Sequence, residues 1–127
     1  MKTYVIGDTH GCYDAFCSLM DKITPDLAHD RLIMLGDYID RGYQSYEMIR
    51  DIRALQEQYG NHHVILLRGN HEQMAIDYCK YGDWNYLING GNTTIKSLRL
   101  HHDCLENHIE FFQELPLYYE DDYFIYV

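Results

Sequence analysis

Basic residues are scarce in this sequence. It has 10 lysines and arginines against 20 aspartates and glutamates, which gives a formal net charge of −10. Proteins that bind nucleic acids or anionic membranes usually have basic surfaces, because lysines and arginines neutralise the phosphate groups of the partner. The composition therefore argues against both kinds of partner. It does not exclude a phosphorylated substrate, which a few well-placed arginines can hold.

Cysteine pairs and long apolar runs are also missing. The four cysteines form no C-x-x-C pair, which argues against a zinc ribbon or a dithiol redox motif. No apolar run has the length to span a bilayer, and the N-terminus lacks the architecture of a signal peptide. We therefore predict reduced thiols and a cytoplasmic location. A chain of 127 residues, 46% of them hydrophobic, is expected to form one domain with a core.

Short apolar runs alternate with amphipathic segments in the first half of the chain. The predicted strands cover residues 3–7, 31–35 and 63–67. A helix over residues 13–23 follows the first strand, and a second helix, ended by Gly60, follows the second strand. This alternation predicts an α/β fold with a mainly parallel sheet.

The second half of the chain is less regular. A third helix is predicted over residues 72–79, followed by an irregular or short-helical stretch with Trp84 as a core anchor. A further helix over residues 103–114 opens with a pattern that resembles a capping box. Residues 117–119 and 123–127 are predicted to form a hairpin.

Each predicted strand leads directly into a cluster of polar residues. The clusters are Asp8-Thr9-His10-Gly11, Gly36-Asp37-Tyr38-Ile39-Asp40-Arg41-Gly42 and Arg68-Gly69-Asn70-His71-Glu72. Functional groups of parallel sheets gather where strands end, so we expect the three clusters to meet. Taken alone, the second cluster is equally compatible with a polar loop whose aspartates pair with Arg41.

The clusters contain the groups needed for phosphoryl transfer. Asp8, His10, Asp37 and Asn70 are oxygen and nitrogen ligands that suit Mn, Fe or Zn better than Ca or Mg. Two such ions activate a water and hold both oxygens of an in-line displacement. Asp37, on the middle strand, is the natural bridging carboxylate.

The remaining polar residues suggest how the substrate is held and protonated. Arg41 is suited to a bidentate grip on phosphate. His71 is the candidate acid for the leaving alcohol, with Asp40 as the carboxylate that holds its other ring nitrogen.

In order and sequence, the three clusters resemble the signature motifs of the phosphoprotein phosphatases. These are metal-dependent serine/threonine phosphatases of the calcineurin-like metallophosphoesterase fold, an αββα sandwich with a mainly parallel sheet. Residues 84–92 and 114–117 are similar to the small bacterial and phage lambda-type members.

The resemblance also implies roles for individual residues. One metal would be held by Asp8, His10 and Asp37, and a second by Asp37 and Asn70, with Mn preferred and Fe or Zn as alternatives. It further implies Arg41 on the phosphate, and His71 as the general acid with Asp40 orienting it. Arg68 is either a further phosphate contact or pairs with an acidic neighbour.

One departure concerns the second metal. Members of the family continue beyond the segment that matches residues 123–127 into motifs whose histidines complete that site. Residues 1–127 are therefore expected to be the N-terminal part of a single domain of this type. We expect this part to bind the second metal weakly and to turn over poorly by itself.

Three functions remain in competition. The leading hypothesis is a serine/threonine protein phosphatase in which two metals activate a water. The nearest alternative is a diadenosine polyphosphate hydrolase of the same fold; these relatives often lack the acid found at Asp40, which favours the protein phosphatase. The third is a catalytically incomplete fragment or binding module. The sequence makes no prediction of the oligomeric state.

Overall fold

Three short parallel strands form the central sheet. The computed structural model describes all 127 residues and places the strands in the order β1 (Thr3–Ile6), β2 (Arg31–Met34) and β3 (Val64–Leu66). Ile6 is paired with Met34, and Met34 with Leu66, so the strands end at one level. The predicted parallel sheet is confirmed, and the three polar clusters lie at the same edge.

The helices that connect these strands lie on one face of the sheet. α1 (Tyr13–Ile23) joins β1 to β2, and α2 (Ser45–Tyr59) joins β2 to β3. Because parallel crossovers are right-handed, the strand order 1-2-3 places both helices on the same side. The later helices are α3 (Asn70–Tyr81), α4 (Asn92–Leu100) and α5 (Glu106–Glu114).

The core follows the alternation of side chains along the strands. Leu32 and Met34 join a cluster of 20 buried residues to which all five helices contribute. Ile33 points to the opposite face. There a hairpin of β4 (Tyr119–Glu120) and β5 (Ile125–Tyr126) packs its tyrosines over the sheet. The chain thus contains one helical layer and one sheet of the expected sandwich, together with the predicted hairpin.

Several local predictions were wrong. α3 begins at Asn70 rather than at residue 72, so the third polar cluster forms its first turn. α4 was not predicted, because the kink at Asn89 and Gly90 that precedes it has the sequence of a turn. Trp84 is not a core anchor, since 71% of it is exposed, whereas Tyr86 is fully buried.

The start of α5 also differs from the prediction. The helix begins at Glu106, and Asp103 lies outside it. Asp103 accepts hydrogen bonds from the amide of Cys104 and the side chain of Asn107, so it does not form the expected capping box. None of the helices combines the length and apolar character needed to cross a membrane.

Burial of α5 generates the first testable prediction. Phe112 is fully buried, whereas Phe124 in the hairpin is 64% exposed. We expect Phe112→Ala to lower the free energy of unfolding by about 3–5 kcal/mol, because it removes core contacts and leaves a cavity. Phe124→Ala deletes the same atoms and should change it by about 0.5 kcal/mol. Urea denaturation measures both, and equal losses would contradict the assigned core.

Candidate active site

The loop after β1 is fastened to the loop after β2 by main-chain hydrogen bonds. The amides of Thr9 and His10 both donate to the carbonyl of Asp37, at 3.2 and 2.9 Å. The loops approach so closely that a Cβ atom on Gly42 would collide with the carbonyl of His10. Likewise, a Cβ atom on Gly69 would collide with the side chain of Asp37. Glycine at these positions is therefore a condition for bringing the clusters together.

The backbone of the second cluster is strained. Asp37, Asp40 and Arg41 have φ angles of 54°, 76° and 70°. Residues with a side chain rarely adopt this left-handed region, and they keep it only where their surroundings fix the conformation. Such strain clusters at functional sites.

Glu72 is the residue that fixes this backbone. Its carboxylate accepts hydrogen bonds from the amides of Asp37 at 2.6 Å, Tyr38 at 3.0 Å and Gly69 at 3.0 Å. Glu72 is fully buried, and burial raises the pKa of its carboxyl group to about 7 although the three amides favour the charged form. Glu72, in the first turn of α3, therefore joins the second cluster to the third.

Two predicted metal ligands, His10 and Asp37, and the candidate acid His71 converge above this framework. His10, Asp37 and His71 present ligand atoms that all lie within 4.8 Å of one another. Nδ1 of His10 is 2.8 Å from the carbonyl of Ile39, which fixes the ring and leaves Nε2 facing Asp8 at 3.7 Å. Histidines that bind metals are commonly oriented by a carbonyl in this way.

The amide group of Asn70 lies against the carboxylate of Asp37. Its nitrogen donates a hydrogen bond to each carboxylate oxygen, at 2.8 and 3.0 Å. Asp8 is 58% exposed, faces His10 at 3.7 Å and lies outside the three side chains that converge within 4.8 Å. The carboxylate, imidazole and amide groups present here are of the kinds that bind divalent metal ions.

The pair of His71 and Asp40 is closed to solvent. The side chains are 4% and 0% exposed, and Nδ1 of His71 lies 2.7 Å from Oδ2 of Asp40. The carboxylate fixes the ring, which packs edge-on against His10 with 4.6 Å between ring centroids. The contact that the sequence predicted between these residues is therefore present.

Sequence reasoning missed two residues of this site. Oδ1 of Asp40 accepts hydrogen bonds from the hydroxyl of Tyr86 at 2.6 Å and from that of Thr94 at 2.7 Å. Burial raises the pKa of Asp40, and the hydrogen bonds from Tyr86, Thr94 and His71 oppose that shift. The resemblance of residues 84–92 to the small bacterial and phage members pointed to this region, but it did not single out Tyr86 or Thr94.

The two predicted substrate arginines differ in their surroundings. Arg41 is exposed, its guanidinium has no partner within the chain, and its amide donates to the carbonyl of Gly90 at 3.2 Å. Arg68 donates to the side chain of Gln73 at 2.9 Å and to the carbonyl of Gln113 at 2.6 Å. The acidic partner considered for Arg68 is therefore not found, and Arg41 is the arginine free to meet a phosphate.

Comparison with known proteins assigns the chain to a family. The family model described as calcineurin-like phosphoesterase matches residues 1–125. The chain belongs to this family. Membership confirms the calcineurin-like metallophosphoesterase superfamily expected from the three clusters, and this family implies divalent metal ions.

The relatives within the family differ in their activities. A symmetrical bis(5'-nucleosyl)-tetraphosphatase of Glaesserella parasuis is 41% identical over 53% of this chain and 26% of its own length. The enzyme of the same name from Pseudomonas fluorescens is 36% identical over 65% of this chain and 30% of its own length. A solved serine/threonine phosphatase from Saccharomyces cerevisiae is 26% identical, with a TM-score of 0.64 over 91% of this chain and 33% of its own. The chain thus spans about a third or less of these proteins.

Removing the Glu72 carboxylate tests the framework of the site. We expect Glu72→Ala to lower the free energy of unfolding by about 3–5 kcal/mol, because three backbone amides lose their acceptor at once. Glu57→Ala removes an exposed carboxylate from α2 and should have little effect. Urea denaturation of both variants at neutral pH gives the comparison. A loss below about 1 kcal/mol for Glu72→Ala would show that the amides find other partners.

Proposed function

We propose that this chain carries the metal-binding and acid–base residues of a phosphoesterase that hydrolyses dinucleoside polyphosphates, with symmetrical tetraphosphates as the preferred substrates. The observation that carries the reaction type is the convergence of His10, Asp37 and His71 within 4.8 Å. The free guanidinium of Arg41 supports a phosphorylated substrate. The two tetraphosphatase relatives support the substrate class, because they are more similar in sequence than the solved protein phosphatase.

Serine/threonine protein phosphatase activity is the second candidate. It ranked first on the sequence motifs and on the presence of Asp40, and the likeness to the Saccharomyces cerevisiae phosphatase supports it. The higher sequence identities of the tetraphosphatases, 41% and 36% against 26%, lead us to place tetraphosphate hydrolysis first. Both candidates share the same reaction at phosphorus.

The proposed metal sites follow the donor set. Asp8, His10 and Asp37 would hold one divalent ion, and Asp37 with Asn70 a second, with Mn preferred and Fe or Zn as alternatives. When bound, the ions lower the pKa of a water and neutralise charge on the phosphate.

The protein's own groups supply binding and proton transfer. Arg41 offers a planar fork of donors to the phosphate oxygens. His71, with Nδ1 held by Asp40, directs the proton of Nε2 toward the leaving oxygen. Arg68 stays outside this set, since its guanidinium is engaged with Gln73 and Gln113.

The loss of Asp37 should separate metal binding from folding. We expect Asp37→Asn to weaken Mn²⁺ binding and the metal-dependent cleavage of a symmetrical dinucleoside tetraphosphate by about 100-fold, since the charge shared by both ions is removed. Asp122→Asn changes an exposed aspartate in the hairpin and serves as the matched control. Electron paramagnetic resonance of Mn²⁺ and chromatography of the nucleotide products measure the two effects.

The outcomes separate the candidates. Release of two nucleoside diphosphates from each dinucleoside tetraphosphate supports the main proposal. Metal-dependent release of phosphate from phosphoserine peptides, with the tetraphosphate left intact, would replace it by the second candidate. Unchanged Mn²⁺ binding in Asp37→Asn would overturn the metal assignment.

Two exposed aromatic side chains belong to segments that contribute to the site, and their chemistry suits a nucleoside. Trp84 is 71% exposed and belongs to the segment whose Gly90 contacts Arg41, and Tyr43, 79% exposed, follows Gly42. Flat aromatic surfaces of this kind stack on nucleobases. We therefore include Trp84 in the proposed substrate surface.

Truncation of Trp84 tests this part of the proposal. We expect Trp84→Ala to raise KM for the dinucleoside tetraphosphate by about 5-fold to 100-fold, because a stacked base contributes about 1–3 kcal/mol. KM for p-nitrophenyl phosphate, which has no base, should stay the same. Tyr123→Ala, which removes an aromatic ring that is 85% exposed in the hairpin, is the control. Equal effects on both substrates would contradict a role in base binding.

A further inference from the structure

We propose that Tyr86 and Thr94 are positioning residues of the reaction, which fix the Asp40 carboxylate and thereby aim His71. The inference rests on the proposed function, in which His71 is the general acid. Neither residue belongs to the three polar clusters. Both come from the segment on either side of the Gly90-Gly91 turn.

The two oxygens of Asp40 have separate tasks. Oδ2 meets Nδ1 of His71 at 2.7 Å, while Oδ1 accepts from Tyr86 at 2.6 Å and from Thr94 at 2.7 Å. Asp40, Tyr86 and Thr94 are fully buried. Because these side chains are closed to bulk solvent, the two hydroxyl groups that bind Oδ1 set the orientation of the carboxylate plane.

The direction of each hydrogen bond follows from the available protons. The amide of Asp40 donates to Oγ1 of Thr94 at 2.8 Å, so the single proton of Thr94 is left for Oδ1 of the same aspartate. Thr94 thus bonds to both the main chain and the side chain of Asp40. The hydroxyl of Ser45 lies 3.0 Å from that of Thr94 and forms a further hydrogen bond in this buried group.

Tyr86 can act only as a donor here. Burial and the charge of Asp40 raise the pKa of its hydroxyl, so the phenol keeps its proton. The ring lies against Gly91, where a Cβ atom would come within 2.5 Å of it. A side chain at position 91 would therefore displace the tyrosine from Asp40.

The same segment also contacts the phosphate-binding arginine. The carbonyl of Gly90 accepts the amide of Arg41 at 3.2 Å, and the hydroxyl of Thr93 donates to that carbonyl at 2.9 Å. Asp40 and Arg41 both have positive φ angles, so their conformation needs outside support. Residues 86–94 therefore contact both Asp40, the partner of His71, and Arg41, and they fix the position of one relative to the other.

A structural role alone would make a different prediction. If Tyr86 and Thr94 only satisfied a buried carboxylate, their loss would reduce stability and slow all substrates alike. A positioning role affects the transfer of a proton, so it must depend on how basic the leaving oxygen is. The leaving group of the substrate is therefore the variable that separates the two roles.

The kinetic test compares phenyl phosphate with p-nitrophenyl phosphate, whose leaving group needs little protonation. We expect Tyr86→Phe and Thr94→Val to reduce kcat on phenyl phosphate by about 10-fold to 100-fold and on p-nitrophenyl phosphate much less. Thr94→Ser keeps the hydroxyl group and should restore the ratio of the two rates. Tyr78→Phe is the control, because the Tyr78 ring packs 5.5 Å from that of Tyr86 without bonding to Asp40.

A second measurement does not depend on turnover. In protein labelled with ¹⁵N-histidine, the Nδ1 proton of His71 should be shifted downfield and protected from solvent exchange by Asp40. Tyr86→Phe should speed its exchange at least about 10-fold, while Tyr78→Phe leaves it unchanged. Unaltered proton exchange in Tyr86→Phe and Thr94→Val, or equal rate losses on both phosphates, would overturn the positioning role. If the wild-type chain hydrolyses no phosphoester with Mn²⁺, the activity proposed for these 127 residues fails, whereas the exchange of the His71 proton still tests whether Tyr86 and Thr94 hold the pair of Asp40 and His71.

Discussion

The three strand-end loops meet at one residue, Asp37, and the rest of the site depends on that meeting. Its carbonyl accepts the amides of the loop after β1, and its own amide donates to Glu72 of the third cluster. Its carboxylate accepts the amide of His71 at 2.8 Å. Three peptide segments that are far apart in sequence are thus locked by contacts to a single position. The side chains that we propose as metal ligands therefore stand on a backbone that these hydrogen bonds fix.

Much of this could be predicted because the signals were local. Apolar runs of strand length gave the three strands, and right-handed crossovers gave the side on which α1 and α2 pack. The convergence of Asp37, His71 and His10 then followed from the geometry of a parallel sheet, whose strands end at one edge. No contact between the loops had to be known in advance for that step.

The parts that sequence reasoning missed depend on contacts between distant residues. Trp84 and Tyr86 are both aromatic and lie two positions apart, so composition favoured the larger ring for the core. Tyr86 is the buried one because its hydroxyl finds Asp40, which is 46 residues away in the chain. Helix α4 begins with polar and β-branched residues of low helix propensity, and it forms because Thr94 and Leu98 are buried against the rest of the molecule. The sequence left two alternatives open for Arg68, a phosphate contact or an acidic partner, and did not predict that it donates to the carbonyl of Gln113 in α5.

The acid pair also bears on the choice between the two substrate classes. A serine alkoxide is a strongly basic leaving group and needs a well-aimed proton, whereas a nucleoside diphosphate leaves with much less help. In this chain the pair of Asp40 and His71 is buried, and the buried hydroxyl groups of Tyr86 and Thr94 hold the Asp40 carboxylate. Under the proposed function, such a pair accommodates a phosphate monoester as well as an anhydride, so it does not choose between the two substrate classes. The choice is then left to the residues that bind the rest of the substrate, among which we propose Trp84.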